Sequence, residues 1–409
     1  MEIRPIFSTL LRNKMAPLLV AAQVAISLAL LANALHIVRE RTTMSARPSG
    51  IVDEAATFTL NLRHTVRPAH AENIALQVRQ TALLTAIPGV LGAAWTTQMP
   101  MTRSGSQSGI THSRGVKPNV SASKYFSPDG FIATLGLKII EGRDFKPEEI
   151  LTVNIENDNS QPVAVIITAA LAKNIFPNDA SVVGKPIYWG QGAGAESSTI
   201  VGVVERLQGT NAERESSAEY SAILPARIST PNSIFAVRTE AGQRDRIMAE
   251  AEELIRKSNP QPAIIKTETV EKHRIDRYRN DNGLAGMLIA VSVLLMLITV
   301  SGIVGMTALW VSQRRKQIGV RRALGATQLD ILRYFITENM LITTFGVAAG
   351  LLLAIGLNQL LVAKFELTKL PPTYLAIGSV VFLMFGILAA YAPARRAASI
   401  SPALATRSI

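Results

Sequence analysis

The chain has 409 residues, of which 48% are hydrophobic and only 18% are charged, with no cysteine and a formal net charge of +12. Soluble domains average roughly 25% charged residues, so this composition excludes a purely soluble protein. The absence of cysteine excludes disulfide bonds, thiolate catalysis and cysteine-ligated zinc.

Four segments have apolar cores without Asp, Glu, Lys or Arg that reach the roughly 20 residues needed to cross a bilayer. With their flanking turns, they predict membrane helices at residues 17–38, 283–311, 334–363 and 370–394. The first is too long for the roughly 7–15-residue apolar core of a signal peptide, so we interpret it as a retained anchor. The lack of charged residues in these cores argues against a proton-driven carrier.

The basic residues are distributed unevenly between these segments. Residues 39–282 hold 28 of the 42 Lys and Arg residues and 26 of the 30 Asp and Glu residues, so this long segment is nearly neutral. The other basic residues lie mostly in residues 1–16, 312–333 and 395–409. The positive-inside rule therefore makes those three segments cytoplasmic and residues 39–282 exported. The net charge is a topology signal and does not indicate nucleic-acid binding.

The exported segment predicts a mixed α/β domain, carried on an α-helical membrane domain of one span before it and three after it. Its predicted helices cover residues 71–87, 169–176 and 242–257, and its predicted strands cover residues 57–62, 163–168, 199–204, 221–224 and 234–237. This alternation favours small split βαβ units over a β-sandwich. Residues 103–123 are rich in Ser, Gly and Thr and predict a mobile loop or protrusion.

A charged segment without Gly or Pro, residues 273–281, leads from the exported domain into the second span. It predicts a helical extension of that span, a stalk that carries Arg274, Arg277 and Asp281. A solvated connector is an equally good interpretation of the pattern alone.

The cytoplasmic segment between the second and third spans predicts a short basic helix, a stop and a new helix. Gly325 suits the left-handed position that ends a helix. Thr327 and Asp330 have the spacing of a capping box, which predicts a helix start near Gln328. A basic loop on lipid headgroups is the simpler interpretation of the composition.

Small and polar residues in the spans predict helix packing. Gly346 and Gly350 are four residues apart, and Gly302 and Gly305 three apart, so helix backbones can approach closely there. We expect Asn33, Asn358 and Gln359 to make interfacial or helix-pairing contacts. The glycine run 190–194 predicts a hairpin loop, and the sequence has neither a P-loop motif nor a metal-binding histidine pair.

Residues 317–327, with the sequence QIGVRRALGAT, are similar to the cytoplasmic signature of the FtsX/MacB-type ABC transporter permeases. Glu338, the glycines of the third span and residues 392–402 resemble further features of this family. Residues 163–187 resemble its periplasmic core domain. Gln317 departs from the family, which commonly has Glu at that position.

The resemblance implies a permease that is not itself an enzyme and binds no cofactor or metal, since ATP and Mg²⁺ would be bound by a partner ATPase dimer. The permease would pass ATPase motion to the periplasmic domain, a process called mechanotransmission. The residues implied to couple to the ATPase are Gln317, Ile318, Gly319, Arg321, Arg322, Leu324 and Gly325.

The resemblance also implies a bacterial inner-membrane location, contact with lipid and a second permease, identical or homologous. The expected function is efflux or extraction of a substrate from the periplasmic side, with or without an adaptor and an outer-membrane channel. The alternatives are an FtsX-like regulator of periplasmic enzymes and a lipoprotein-releasing permease. Co-purification of an adaptor and channel would favour efflux, and a peptidoglycan hydrolase would favour regulation.

Overall fold

The computed structural model describes residues 15–118, 120–154, 160–190, 192, 194–210, 217–365 and 367–399. Most of the predicted cytoplasmic N-terminal segment, the end of the C-terminal tail, and Gln191 and Ala193 of the glycine run lie outside these ranges. The chain divides into a membrane unit, Met1–Met44 with Asn280–Ile409, and an exported unit, Ser45–Arg279.

In chain order, the described helices are α1 (Met15–Ser45), α2 (His70–Thr85), α3 (Phe131–Leu135), α4 (Ala169–Ile175), α5 (Arg244–Ser258), α6 (Val270–Gln313), α7 (Arg315–Ala323), α8 (Gln328–Phe365) and α9 (Pro372–Ala398). The described strands are β1 (Thr57–His64), β2 (Val90–Thr96), β3 (Gln107–Thr111), β4 (Val120–Phe126), β5 (Ile139–Gly142), β6 (Leu151–Val153), β7 (Ala164–Thr168), β8 (Pro186–Trp189), β9 (Glu196–Val204), β10 (Ser221–Leu224), β11 (Ala226–Ile228), β12 (Asn232–Thr239) and β13 (Ala263–Thr269).

Four helices, α1, α6, α8 and α9, are long and apolar enough to cross a membrane. Their order, one before the exported unit and three after it, confirms the predicted layout. Helix α6 has 44 residues, which corresponds to about 66 Å at about 1.5 Å per residue. It is this long because the charged segment 273–281 contains no helix breaker and continues the helix before the apolar span begins.

Glycines in the membrane unit let α8 and α6 approach α1. An added Cβ at Gly346 would lie 2.8 Å from the carbonyl oxygen of Ala21, and one at Gly350 would lie 3.0 Å from that of Ala25. A Cβ at Gly302 would collide with the side chain of Gln23. These three glycines therefore lie at close helix contacts, whereas Gly305 has no described neighbour within 4 Å of its Cβ position.

Polar side chains also join the membrane helices. Asn33 donates a hydrogen bond to the carbonyl oxygen of Ala354 at 3.1 Å, and Asn358 donates to Asn33 Oδ1 at 3.2 Å. The hydroxyls of Ser27 and Thr299 lie 2.7 Å apart. The helix-pairing role expected for Asn33 and Asn358 is therefore confirmed.

One sheet of the exported unit has the order β13-β1-β12-β2, with every neighbouring pair antiparallel. The unit β1-α2-β2 leaves room for β12 between its strands, and the unit β12-α5-β13 leaves room for β1. These are two interleaved split βαβ units, as predicted. Their shared core includes Phe58, Leu60, Trp95, Phe235 and Ile247.

A second sheet is inserted in the sequence between β2 and β12. Its strand order is β5-β9-β7-β10-β4-β3-β8, and β8 also pairs with β9, so six of its seven strands form a closed ring of pairings. Its core contains Ile110, Val165, Ile167, Ile187, Ile200 and Leu224. Strands β8 and β9, which flank the glycine run, form an antiparallel pair, as the hairpin interpretation expects.

The loop predicted for residues 103–123 is wrong at residues 107–111 and 120–123, which form strands. Strands β3 and β4 form an antiparallel pair there, with Gln107 opposite Ser123 and Ile110 opposite Val120. Ser, Gly and Thr dominate the composition, but Ile110, Val120 and Ala122 face the core and are buried. Strand formation depends on that burial, which the local composition does not reveal.

Lys124 of β4 is a buried cation in this second sheet. Only 6% of its surface is exposed, and its ammonium nitrogen lies 4.9 Å from the ring centroid of Phe126 and 4.6 Å from that of Trp189. The ammonium also donates a hydrogen bond to Gln161 Oε1. Burial lowers the pKa of Lys124 to about 8 despite the nearby carboxylate of Glu196.

Replacement of Lys124 by Met should raise the free energy of unfolding at pH 7 by roughly 1–3 kcal/mol, because it removes the cost of burying a charge. The lost hydrogen bond to Gln161 offsets only part of this gain. The folded wild type loses the Lys124 proton near pH 8, whereas the unfolded chain keeps it to about pH 10.4. Wild-type stability should therefore gain a contribution as pH rises through this window, and the variant should lack it. Thermal unfolding at pH 7 and pH 9.5 measures both effects. The exposed Lys173→Met variant is the control, and a lower stability of Lys124→Met at pH 7 would contradict the interpretation.

Candidate functional site

The cytoplasmic ends of α6, α8 and α9 hold the short helix α7. Helix α7 ends in a paired turn, in which the Gly325 N–H donates to Arg322 O at 3.2 Å and the Ala326 N–H donates to Arg321 O at 3.0 Å. Gly325 has a φ of +99°, where a side chain would be strained. This geometry confirms the predicted glycine stop.

The next helix begins at Gln328 with the predicted capping box. The Asp330 N–H donates to Thr327 Oγ1 at 3.2 Å, and the Thr327 N–H donates to Asp330 Oδ2 at 3.0 Å. Because these bonds satisfy backbone donors that the helix cannot, the chain between α7 and α8 has a defined turn.

The inner side of α7 packs within this chain. Ile318 is only 4% exposed and lies in a cluster with Ile331 and Phe335 of α8 and with alanines of α9. Arg322 donates a hydrogen bond to the carbonyl oxygen of Ala398 at 2.6 Å. Ile318, Gly319 and Arg322 therefore fix α7 to its own chain. The expectation that Ile318 contacts the ATPase directly does not fit this burial. The sequence could not show this, because apolar periodicity alone does not tell which side of a short helix faces inward.

An ion pair joins the end of α6 to α8. Arg314 Nη1 donates to both carboxylate oxygens of Glu338 at 2.9 Å, and Glu338 has no exposed surface. The Arg321 guanidinium lies 5.0 Å from the ring centroid of Tyr334, on the same helix as Glu338. No local pattern predicts the partner of Glu338, since the two charges are 24 residues apart and meet only through the fold.

The outer side of α7 carries four side chains spaced by three or four residues, Gln317, Val320, Arg321 and Leu324, which we call the coupling face. All four are exposed, with Val320 at 51% and Leu324 at 83%. This face lies opposite the buried Ile318 and Gly319. It thus exposes two apolar side chains, a guanidinium and an amide on a helix whose opposite side packs against α8 and α9.

The predicted stalk residues lie in α6. Arg274 belongs to the exported unit, where it donates to Glu54 Oε2 at 2.8 Å and to the carbonyl oxygens of Ser45 and Arg47, each at 2.8 Å. Burial by itself raises the pKa of Glu54, but hydrogen bonds from Arg274 and Ser49 outweigh burial and hold that pKa below its ordinary value.

Two further stalk residues are also fixed. Arg277 of the exported unit is 4% exposed, and its carbonyl oxygen accepts a hydrogen bond from Arg103. Asp281 of the membrane unit pairs with Arg41 of α1 at 2.5 Å. Residues 273–281 are therefore helical, which favours the stalk over a solvated connector.

A four-span membrane unit with a split-βαβ exported unit and a fixed cytoplasmic helix defines the architecture of an ABC transporter permease. The family model described as MacB-like periplasmic core domain matches residues 20–254, more than half of the chain, and the model described as FtsX-like permease C-terminal matches residues 289–402. The chain belongs to this MacB-like family of permeases. It accordingly lies in the bacterial inner membrane, with its core domain in the periplasm.

The chain is 24% identical over 290 residues to the macrolide export ATP-binding/permease protein MacB of Chromobacterium violaceum, covering 69% of this chain and 43% of that protein. It is 34% identical over 131 residues to the pyoverdine export ATP-binding/permease protein PvdT of Pseudomonas savastanoi pv. phaseolicola, covering 32% of this chain and 20% of that protein. The chain thus spans less than half the length of these relatives.

Among solved structures, the chain is similar to the extracellular domain of YknZ, a noncanonic ABC-type transporter from Gram-positive bacteria. The match has a TM-score of 0.34 and 14% identity, and it covers 52% of this chain and all of that domain.

Replacement of Glu338 by Leu should lower the free energy of unfolding by about 3 kcal/mol, because it leaves the partly buried Arg314 without its counter-charge. The double variant Arg314→Leu/Glu338→Leu removes both charges and should lose much less stability. Denaturant unfolding in detergent measures the three free energies. A double variant as unstable as Glu338→Leu would show that the two side chains are not energetically coupled.

Proposed function

We propose that this chain is the permease subunit of an ABC exporter that acts by mechanotransmission. ATP and Mg²⁺ are bound by a dimer of partner ATPase subunits, and their closure displaces the coupling face. The membrane helices pass this displacement to the periplasmic unit, which drives efflux or extraction of a substrate from the periplasmic side. The export proteins among the relatives favour this function over the regulatory alternative.

The observation that carries the proposal is the coupling face itself. Leu324 is 83% exposed on a helix whose opposite side is packed through Ile318 and held by the hydrogen bond of Arg322. A helix fixed in this way can transmit a push, whereas a loose loop on headgroups would absorb it. Leucine and arginine beside each other also suit a protein surface that buries apolar area and accepts a charge.

The second supporting feature is the length of α6. Its 44 residues form one helix that includes Arg277 at the exported end and ends at Gln313, one residue before Arg314. A continuous helix is a stiff element, so a displacement at the cytoplasmic end reaches the periplasmic end without an intervening joint.

The assembly that we propose contains two permease chains and two ATPase chains. Helix α6 leaves large apolar side chains exposed within a single chain, among them Met287, Val293, Leu294 and Leu297. Lipid and the second permease, identical or homologous, would cover this surface. An adaptor and an outer-membrane channel would complete an export route across the periplasm.

Replacement of Leu324 by Asp should release the ATPase without unfolding the permease. The residue is exposed in the isolated chain, so the fold does not depend on it. In the assembly it would bury an unpaired carboxylate, which costs several kcal/mol and corresponds to at least 100-fold weaker binding. Co-purification of the ATPase and its rate of ATP hydrolysis are the measurements.

The matched control for this test is Arg315→Ala, because Arg315 is exposed on the side of α7 away from the coupling face. Leu324→Ala should have an intermediate effect, since it removes apolar contact without adding charge. Unchanged ATPase binding by Leu324→Asp would contradict the claim that the coupling face binds the ATPase.

Insertion of Gly-Gly after Asn282 should uncouple export from ATP hydrolysis. Each glycine costs about 1 kcal/mol in a helix and frees the backbone between the exported unit and the second span. The coupling face is unchanged, so ATP hydrolysis should persist while the variant fails to complement a deletion strain.

Insertion of Ala-Ala at the same position is the control, because it adds the same length and keeps the helix intact. We expect it to retain more complementation than Gly-Gly at equal membrane expression. Equal complementation by both insertions would show that the stiffness of α6 is irrelevant and would contradict transmission through this helix.

A further inference from the structure

Two loops of the exported unit, residues 99–106 and 205–210, form a connection that we call the latch. They are joined by backbone hydrogen bonds from Met101 N–H to Gly209 O at 3.3 Å and from Arg103 N–H to Thr210 O at 3.2 Å. The pair therefore behaves as one structural element, although about 100 residues separate the loops in the sequence.

Each loop also holds the exported end of helix α6. Arg103 donates from Nη2 to the carbonyl oxygen of Arg277 at 2.9 Å. Gln208 donates from Nε2 to the hydroxyl oxygen of Tyr278 at 2.7 Å, and both of these side chains are almost fully buried. The two donors thus bind successive residues of α6, one through the backbone and one through a side chain.

The latch is bonded in turn to strand β4 of the seven-stranded sheet. The hydroxyl of Tyr125 donates to the carbonyl oxygen of Gln208 at 2.7 Å, and Tyr125 is fully buried. The Thr210 N–H donates to Ser123 Oγ at 3.3 Å. A chain of hydrogen bonds therefore runs from α6 through the latch into the core of this sheet.

The backbone of the first loop is strained at two positions. Met101 has a φ of +65° and Arg103 a φ of +62°, in the left-handed region that residues other than Gly, Asn and Asp rarely adopt. Met101 is 1% exposed and anchors the loop, while the strain two residues later aims Arg103 at α6. Such strain persists only where surrounding contacts enforce it, and it concentrates at functional positions.

The two larger sheets of the exported unit have different connections to α6. The four-stranded sheet is continuous with the helix, because Thr269 ends β13 and Val270 begins α6. The seven-stranded sheet is inserted between β2 and β12, far from α6 in sequence, and reaches it through the latch. A displacement of α6 can move the first sheet directly, and the latch gives the second sheet its own hydrogen bonds to the helix.

We propose that Arg103, Gln208 and Tyr278 are positioning residues that pass a displacement of α6 to the seven-stranded sheet. The proposal rests on the mechanotransmission proposed above and names the residues that carry it within the exported unit. The geometry favours this role because the contacts are directional hydrogen bonds at consecutive positions of the helix. Apolar packing would allow the helix to slide.

The test measures distances between spin labels on the cysteine-free chain, in complex with its co-purifying ATPase. Labels at Arg79→Cys and Arg279→Cys report the helix relative to the four-stranded sheet, and labels at Arg79→Cys and Lys117→Cys report one sheet relative to the other. All three positions are exposed. Each pair is measured without nucleotide and with ATP and vanadate, in the wild-type background and in Arg103→Ala/Tyr278→Phe.

We expect both distances to change with nucleotide in the wild-type background. In the latch variant the helix distance should still change, while the change between the sheets should fall by at least half. Tyr278→Phe keeps the buried ring and Arg103 is an exposed side chain, so the variant should fold. Tyr220→Phe, which removes a hydroxyl bonded to Asn174 elsewhere in the unit, is the matched control and should behave as wild type.

Two outcomes would overturn the proposal, and they are distinguishable. A full change between the sheets in the latch variant would show that the latch does not carry the displacement, while the mechanotransmission itself stands. No change in either distance in the wild-type background would overturn the mechanotransmission and the latch together.

Discussion

The buried ion pair between Arg314 and Glu338 is the interaction on which the cytoplasmic part of this permease depends. A carboxylate without exposed surface requires a fixed counter-charge, and that requirement holds the end of α6 against α8. Helix α7 starts one residue after Arg314, so the same pair determines where α7 begins. Ile318 packs between α8 and α9, and this leaves Val320 and Leu324 of the coupling face exposed on the other side of α7.

The sequence predicts those features that local backbone chemistry controls. The stop at Gly325 and the capping box of Thr327 and Asp330 follow from residues that only a few geometries suit, so their positions are correct to the residue. The spans follow from length and hydropathy, and the split βαβ units follow from the alternation of helices and strands. In each case the information lies within a short stretch of chain.

Features that depend on distant residues were not predictable in this way. Ile318 and Leu324 are both apolar residues of one short helix, and only the packing of α8 and α9 decides that the first is buried and the second exposed. Strands β3 and β4 look like a loop by composition, since their stability comes from partners such as Trp189 opposite Ile110. The latch joins loops about 100 residues apart, so no local sequence pattern predicts it.

Ion pairs hold α6 at both its cytoplasmic and its exported end, and the exported end adds a neutral contact. Near the cytoplasm a full ion pair is stable because Glu338 is enclosed and Arg314 supplies two hydrogen bonds from one guanidinium. In the exported unit, Tyr278 and Gln208 are buried but neutral, so their contact carries no charge-burial penalty. A neutral hydrogen bond is weaker than an ion pair but directional, and it can break and re-form as a helix moves. The cytoplasmic end of α6 is therefore held by a buried ion pair, whereas its exported end also has a neutral contact that costs less to break.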